Sequence, residues 1–563
     1  LILWGYRSDE VVTPAIWPKQ TSINRDQVTL DPSLRLKRIR ENDRNVRKPV
    51  AGSLGMHVQG AACPHPDQFD TSTTLDGALY RVCPQIPGYA KHKRKFRKFV
   101  KKWCKKNLTP LANASDTTVE SWLKKCNYTE KRKEELLKKF NAVKNKKDKR
   151  YAFIKSFIKD EFYPDYKHAR TINSRTDEYK TFVGPIFQLI SDELFARPEF
   201  IKKVPVDDRP EAILRDIYVE NEHIYSTDFS SFEAHFRKVI MEDCEFVLYK
   251  YMVKELADGD EFLDLIEAMK GKNRIEFKNL VLEIEAKRMS GEMNTSLGNG
   301  FSNLMFILYV CSLKDKKAPV RVKVEGDDSI FGTRVNLTTK DFADFGLRIK
   351  LEEHKDICRA SFCGMVFDPI DMTNVTDPRD VLATFGWTSA KYIRSKRSVH
   401  LTLLRCKALS LAYQYPCCPI LTKLANNVLR MTAGYETKRF IQKQGTNLMC
   451  NYELEILLLA QKQHTERQNK KGQYIFKEPG LNTRRLVEEL YGITVNRQID
   501  IEKYFDNMTE IGPMVGDLFL DIMNPVWKQY FDKYSANIRP KMAVYENPGP
   551  LWTAIRERRL KLD

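Results

Sequence analysis

"VRVKVEGDDSIFGTRV", residues 320–335, decides how the rest of the chain is read. Val320, Val322 and Val324 alternate with Arg321, Lys323 and Glu325. That period of two marks a half-buried strand. Gly326 then introduces two adjacent aspartates, Asp327 and Asp328, and Ile330-Phe331 resume the apolar pattern. Glycine and aspartate are turn formers, so a β-hairpin with the aspartates at its tip is expected. A turn explains the reversal of the backbone but not two neighbouring carboxylates, which repel each other. Clustered carboxylates are tolerated where a cation sits between them, and hard oxygen ligands of this kind suit Mg²⁺.

Composition narrows the partners. Of 563 residues, 94 are Lys or Arg and 74 are Asp or Glu, a net charge of +20. Such an excess points to a polyanion or an anionic membrane surface. Twelve cysteines are spread thinly with no C-x-x-C, which argues against a disulfide framework and for a reducing compartment. Cys63, His65 and Cys83, and separately His354, Cys358 and Cys363, are two candidate zinc corners, although neither spacing fits a standard site. No stretch reaches the roughly 18–20 apolar residues of a membrane span. Residues 301–313 come nearest and are broken by Ser302 and Asn303. There is no signal-peptide pattern, and a chain opening on Leu1 reads as an excised, read-through or incompletely sequenced product.

Residues 1–90 are rich in Pro, Gly, Asp and Thr and read as an irregular extension draped on something else. Residues 91–106, "KHKRKFRKFVKKWCKK", carry ten Lys/Arg and no acid. Phe96, Phe99, Val100 and Trp103 recur there at helical spacing, which predicts a basic amphipathic helix. It could dock on the protein with its charges toward phosphates, or lie on a membrane surface. Helices are expected at 118–145 and about 340–347. From about 398 they dominate, near 400–434, 451–465, 483–491 and 514–535, with a long polar loop at 463–482.

Two further stretches supply the chemistry. "YSTDFSSFEAHF", 225–236, places Asp228 where a strand should finish and Glu233 five residues on, as the chain turns into a helix. "SGEMNTSLGNGFSN", 290–303, sets a flexible Ser290-Gly291 loop before Thr295 and Asn299, which fall four apart on one helical face. Phe301, Met305, Phe306 and Tyr309 give that helix its buried side.

Taken in order, Asp228-x4-Glu233, Ser290-Gly291-x3-Thr295-x3-Asn299 and Gly326-Asp327-Asp328 resemble motifs A, B and C of viral RNA-dependent RNA polymerases. "GEMNTSLGN" looks most like the positive-strand tombusvirus-like group and its invertebrate relatives. "KDEFYPDYKHARTI", 159–172, is similar to motif F; "FADFGLRIKLE", 342–352, to motif D; and "FCGMVFD", 362–368, to motif E. The likeness spans about 120–390. One departure is that the second acid of motif A, usually aspartate, is here Glu233, which reaches one methylene further.

The resemblance implies an α+β right-hand polymerase with fingers, a palm of antiparallel sheet flanked by helices, and a mostly helical thumb. Its divisions would be a 1–90 extension, fingers 91–221 with motif F, palm 222–252, fingers 253–289, palm 290–375 with motifs B to E, and thumb 376–563. It further implies RNA-templated RNA synthesis from NTPs by a two-metal mechanism, with Mg²⁺ (or Mn²⁺) held by Asp228, the adjoining Phe229, Asp327 and Asp328. Lys159, Lys167 and Arg170 would meet the triphosphate, and Lys350 would act as general acid toward pyrophosphate. Glu233, Ser290, Thr295 and Asn299 would read the ribose 2′-hydroxyl, and Gly291 would admit the template backbone. The implied partners are RNA template and product, other viral replication proteins and a peripheral membrane in the host cytoplasm. A reverse transcriptase and a non-catalytic RNA-binding or membrane scaffold are the competing readings.

Overall fold

The alternating run around Gly326 forms the expected hairpin. Strands Val320–Glu325 and Asp328–Thr333 pair antiparallel, from Asp328 opposite Glu325 to Thr333 opposite Val320. Gly326 and Asp327 make the two-residue tip, and Gly326 sits at φ +58°, a conformation that glycine adopts without a Cβ penalty. The computed structural model describes residues 15–16, 28–40, 49–86, 88–89, 91–441, 451–466 and 477–535. Of the polar loop expected at 463–482, residues 467–476 lie outside that set. The described part is helical to Glu466 and again from Leu481.

Two more strands complete the central sheet. His223–Phe229 pairs antiparallel with Asp328–Thr333, and Ile349–His354 pairs with its other edge. The order is Ile349–His354, His223–Phe229, Asp328–Thr333, Val320–Glu325. Alternation divides the side chains between two cores. Tyr225, Phe331, Val322 and Val324 join Phe301, Met305 and Phe306 of helix Thr295–Lys314. Ile224 and Ile330 face the other way, onto Ile213 and Ile217 of helix Arg209–Ile217.

A second sheet has the order Arg35–Ile39, Leu280–Glu285, Lys272–Glu276, Ile154–Ile158, Thr171–Arg175. All its pairs are antiparallel except Ile154–Ile158 with Lys272–Glu276. The C-terminal part is helical: Arg397–Gln414, Leu421–Met431, Asn451–Glu466, Leu481–Tyr491, Val495–Asn507 and Pro525–Tyr534.

The basic helix forms at Lys93–Asn107 and buries Phe96, Val100 and Cys104 in the core beneath the central sheet. Helix Thr295–Lys314 is longer than the apolar run seen in sequence. By length and mean hydropathy (1.2) it could cross a membrane, but 78% of that window is buried inside the protein. It is the core helix behind the hairpin.

The described part of residues 1–90 departs from an irregular extension. It contributes a strand to the second sheet (Arg35–Ile39) and another that pairs with Trp387–Ser389 (Ala51–Ser53). It also holds a helix, Thr71–Arg81, capped by Asp70. Leu54, Met56 and Val58 sit in one core with Leu404, Leu424, Val487 and Phe505 of the C-terminal helices. Neither zinc corner assembles. Cys63 and Cys83 lie in different cores, and His65 hydrogen-bonds Asp160. His354 hydrogen-bonds Ser226, and Cys358 and Cys363 belong to separate clusters.

Candidate active site

Strand register builds the site. Ser329 lies opposite Thr227, their hydroxyls hydrogen-bonded to each other, so the next step places Asp328 opposite Asp228 at the end of the sheet. Asp327 projects at the tip beside them. From below, Asn303 of helix Thr295–Lys314 donates its Nδ2 to the carbonyls of Gly326 and Asp328, both at 3.2 Å, which fixes the turn. Phe229 is different in kind. Its ring is buried against Phe232, 4.4 Å between centroids, so only its backbone could serve a metal.

The carboxylates act on one another. Asp327 is exposed at the tip, yet the protein crowded around it displaces enough water to lift it to about 6; Glu233 and Asp228 push the same way, and Arg170 opposes them. Burial lifts Asp328 to about 7, with Asp327, Asp228 and Glu325 adding to the rise and Arg170 again opposing. A cluster whose neighbouring acids resist the ionisation of Asp327 and Asp328 suits a divalent cation. Among the described residues, however, no three His, Cys, Asp or Glu side chains are drawn close enough to form a preassembled cage.

The basic loop approaches from the second sheet. Lys159 N–H donates to the Arg170 carbonyl (2.9 Å), and Arg170 N–H donates to Tyr163 Oη (2.9 Å). Burial works against the Arg170 charge, but Glu161, Glu233 and Asp327 outweigh it and hold its pKa above the ordinary value. Lys159 instead pairs with Glu161 at 2.8 Å. Lys167 is exposed, and the acid on which it acts is Asp380. Lys350 stands opposite Asp228 in register, and its hydrogen bond to Glu352 (2.5 Å) raises its pKa, keeping it protonated. The loop is pinned from two sides: Tyr163 N–H donates to the Pro64 carbonyl (2.9 Å) and Trp527 Nε1 to that of Pro164 (2.8 Å).

The four sugar-reading candidates separate into two pairs. Ser290 Oγ donates to the Thr171 carbonyl (2.6 Å), and Thr295 Oγ1 is 2.9 Å from the Met289 carbonyl. Both hydroxyls therefore hold the loop in place, as does Gly291, whose N–H donates to the Asn173 carbonyl (2.9 Å). Neither Glu233, half-buried, nor Asn299, buried, spends its side chain on that loop, and Asn299 commits only its Oδ1, to Arg288 Nε. Glu233 follows Ser231, a non-glycine residue at φ +56° that turns the chain out of the strand.

Sequence reasoning missed Arg81, Tyr80 and the Arg288–Glu245 pair. Arg81, at the end of helix Thr71–Arg81, donates Nε to the His168 carbonyl (2.7 Å). Burial lowers its pKa, and Arg170, Glu233 and Glu161 all lie within its field. Tyr80 stacks on His168 at 4.1 Å, and its carbonyl accepts from Ser231 Oγ at 3.1 Å, so this helix joins the Asp228 turn to the basic loop. Arg288 and Glu245 form a fully buried ion pair under Gly298. Nothing in the one-dimensional pattern signals the first. A buried Arg beside the Ser290-Gly291 loop could have been suspected.

Gly298 makes a stability prediction. Alanine is preferred to glycine inside a helix by about 1 kcal/mol. Here its Cβ would collide with Glu245 Oε2 and Arg288 Nη2. Disrupting a buried ion pair costs about 3–5 kcal/mol, so the collision wins. Gly298→Ala is expected to lower unfolding free energy by about 2–4 kcal/mol in a urea titration. A neutral result would show that the pair can move aside without cost.

Two comparisons bear on this geometry. A family profile described as "RNA dependent RNA polymerase" matches residues 81–398, more than half of the chain. The chain belongs to the RNA dependent RNA polymerase family. It is thus an RNA-directed RNA polymerase, and the right-hand fold expected from the motifs is the one observed. Among solved structures, it is similar to the insertion loop deletion mutant of the RNA-dependent RNA polymerase of a human picobirnavirus. The TM-score is 0.51 at 12% identity, over 71% of this chain and 85% of that one. That likeness is one of fold. A search of curated proteins returned no match.

Proposed function

We propose that this polymerase copies viral RNA for genome replication and transcription by nucleotidyl transfer at Asp228, Asp327 and Asp328. The observation that carries the reading is the strand register, which sets Asp328 opposite Asp228 with Asp327 at the adjoining tip. The acceptor 3′-hydroxyl gives up its proton to water as its oxygen attacks the α-phosphorus of the NTP. The bond to the β-phosphate oxygen breaks, and pyrophosphate leaves. Two divalent cations, Mg²⁺ or Mn²⁺, held by these carboxylates would acidify the 3′-hydroxyl and neutralise the phosphates. Arg170 meets the triphosphate with a charge that the surrounding acids keep in place, with Arg81 behind it. Lys350, held protonated beside Glu352, donates to the departing pyrophosphate. Glu233 and Asn299 contact the ribose.

The phrase "GEMNTSLGN" supports an affiliation with the tombusvirus-like group. The work would be done in the host cytoplasm with other replication proteins. Helix Lys93–Asn107 buries its apolar side and turns its lysines outward, which supports electrostatic attachment to a membrane-bound complex.

The test is primer extension and unprimed synthesis on a defined RNA template with Mg²⁺, Mn²⁺ or EDTA. NTP incorporation that EDTA abolishes is the expected result. Equal or better use of dNTPs would favour a reverse transcriptase. RNA binding without incorporation under every condition would sink the catalytic reading.

A further inference from the structure

We infer that Arg288 is the positioning residue for ribose discrimination, fixing both Asn299 and the turn that carries Glu233 in the orientation that reads a 2′-hydroxyl. The inference rests on the reading of Glu233 and Asn299 as sugar contacts.

Arg288 is completely buried. Its Nε donates to Asn299 Oδ1 at 3.0 Å. A guanidinium has donors only, so the asparagine must turn its oxygen toward Arg288 and its NH₂ away. Among the described residues that NH₂ makes no hydrogen bond. The backbone N–H of Arg288 donates to the Glu233 carbonyl at 3.4 Å. One residue therefore touches both candidates, one through its side chain and the other through its main chain.

The guanidinium has little freedom to do anything else. Nη2 is ion-paired with Glu245, whose carboxylate also accepts from Tyr249 Oη at 2.8 Å. The ring of Phe236 lies under it at 4.4 Å. Nη1 is 4.0 Å from Glu292, which in turn pairs with Arg175 at 2.5 Å. Arg175 belongs to strand Thr171–Arg175, beside the basic loop. Charges thus alternate in sign from that strand through Arg175, Glu292 and Arg288 to Glu245, and Asn299 hangs on the Arg288 member. Removal of any one would leave a buried charge uncompensated, so the guanidinium is held in a single place.

This orientation has a chemical consequence. A 2′-hydroxyl both donates and accepts. The outward NH₂ of Asn299 can donate to its oxygen, and the Glu233 carboxylate can accept its proton. A 2′-deoxyribose would leave both groups unpaired. If the amide were free to flip, its oxygen would take the place of its NH₂ and the donor to the 2′-hydroxyl would be lost. Arg288 prevents the flip.

The test is a double-mutant cycle on the ratio of kcat/KM for an NTP to that for its 2′-dNTP, in single-nucleotide primer extension. Asn299→Ala is expected to lower the ratio by at least about tenfold. Arg288→Lys keeps a charge facing Glu245 but lacks the separate Nε donor that reaches Asn299, and should lower the ratio by about tenfold. The double variant should be no worse than Asn299→Ala, because one acts through the other. Additive losses would overturn the inference. Should Arg288→Lys fail to fold, Asn299→Asp still decides: it can accept from Arg288 but has no N–H to offer, so selectivity must fall as in Asn299→Ala. Retained selectivity in Asn299→Asp would overturn the inference. If Asn299→Ala leaves the ratio unchanged, the sugar-contact reading itself falls. If it lowers the ratio while a folded Arg288→Lys does not, only the role of Arg288 falls.

Discussion

Asp327→Ala is expected to reduce nucleotide incorporation by at least about 10³-fold, and Asp228→Ala by a similar factor. The same substitution at Asp327 should make the metal-free protein more resistant to heat at neutral pH. Both effects follow from one arrangement. Asp327 is forced to about 6 and Asp328 to about 7, against an ordinary value of 3.8. A carboxyl whose folded pKa is raised binds extra protons in the folded state. Between about pH 4 and 7 the folded protein therefore binds more protons than the unfolded chain, and its stability falls as pH rises through that window. Removing Asp327 removes its own term and relieves Asp328, on which it acts directly. A divalent cation opposes the same repulsion, so Mg²⁺ should raise the melting temperature of the wild type at pH 8 more than at pH 5. Thermal melts at the two pH values, in EDTA and in Mg²⁺, make the comparison. Robust incorporation by Asp327→Ala, or no gain in metal-free stability, would refute the electrostatic account. The site spends folding stability on charge that its substrate complex needs.

Much of this site was legible because its elements are short in range. The hairpin showed in the alternation of Val320 to Val324 and in the Gly326-Asp327 turn, both of which are local physics. The helix carrying Thr295 and Asn299 showed in four-residue spacing. Helix Lys93–Asn107 showed because its apolar face has a strict period. What stayed hidden depends on contacts far apart in sequence. Arg81 and Asp327 are separated by 246 positions, and nothing around Arg81 differs from an ordinary basic helix end. Val495–Asn507 gives little helical signal because "VNRQIDIEKYFDN" buries few apolar side chains, chiefly Ile501 and Phe505. Leu54, Met56 and Val58 lie in a stretch of Gly, Ser and His with no helical period, yet they fill a core built by helices more than 300 residues away. The resemblance assigns Ser290 and Thr295 to the sugar, and their hydroxyls are of the right kind for it. Their hydrogen bonds to backbone carbonyls show that the same chemistry also serves to hold a loop.

Arg170→Ala is expected to lower kcat/KM for NTPs by about 10²-fold and to move the acid limb of the pH–rate profile to higher pH. The loss of rate comes from the triphosphate, which loses the cation that surrounding acids hold fully charged. The shift in pH comes from the aspartates. Arg170 pulls down the pKa of both Asp327 and Asp328, so its removal lets both rise further. Protons then compete better with the divalent cation, and the effect is clearest when that cation is sub-saturating. Arg170→Lys separates the two roles. A lysine restores a positive charge and should bring the acid limb most of the way back. It cannot engage two phosphate oxygens at once, so kcat/KM should recover only in part. A residue that merely closed the loop through its main chain, as Arg170 does with Lys159, would leave the acid limb where it was. An unmoved limb in Arg170→Ala would therefore assign Arg170 to the architecture of the loop and pass the triphosphate to Arg81.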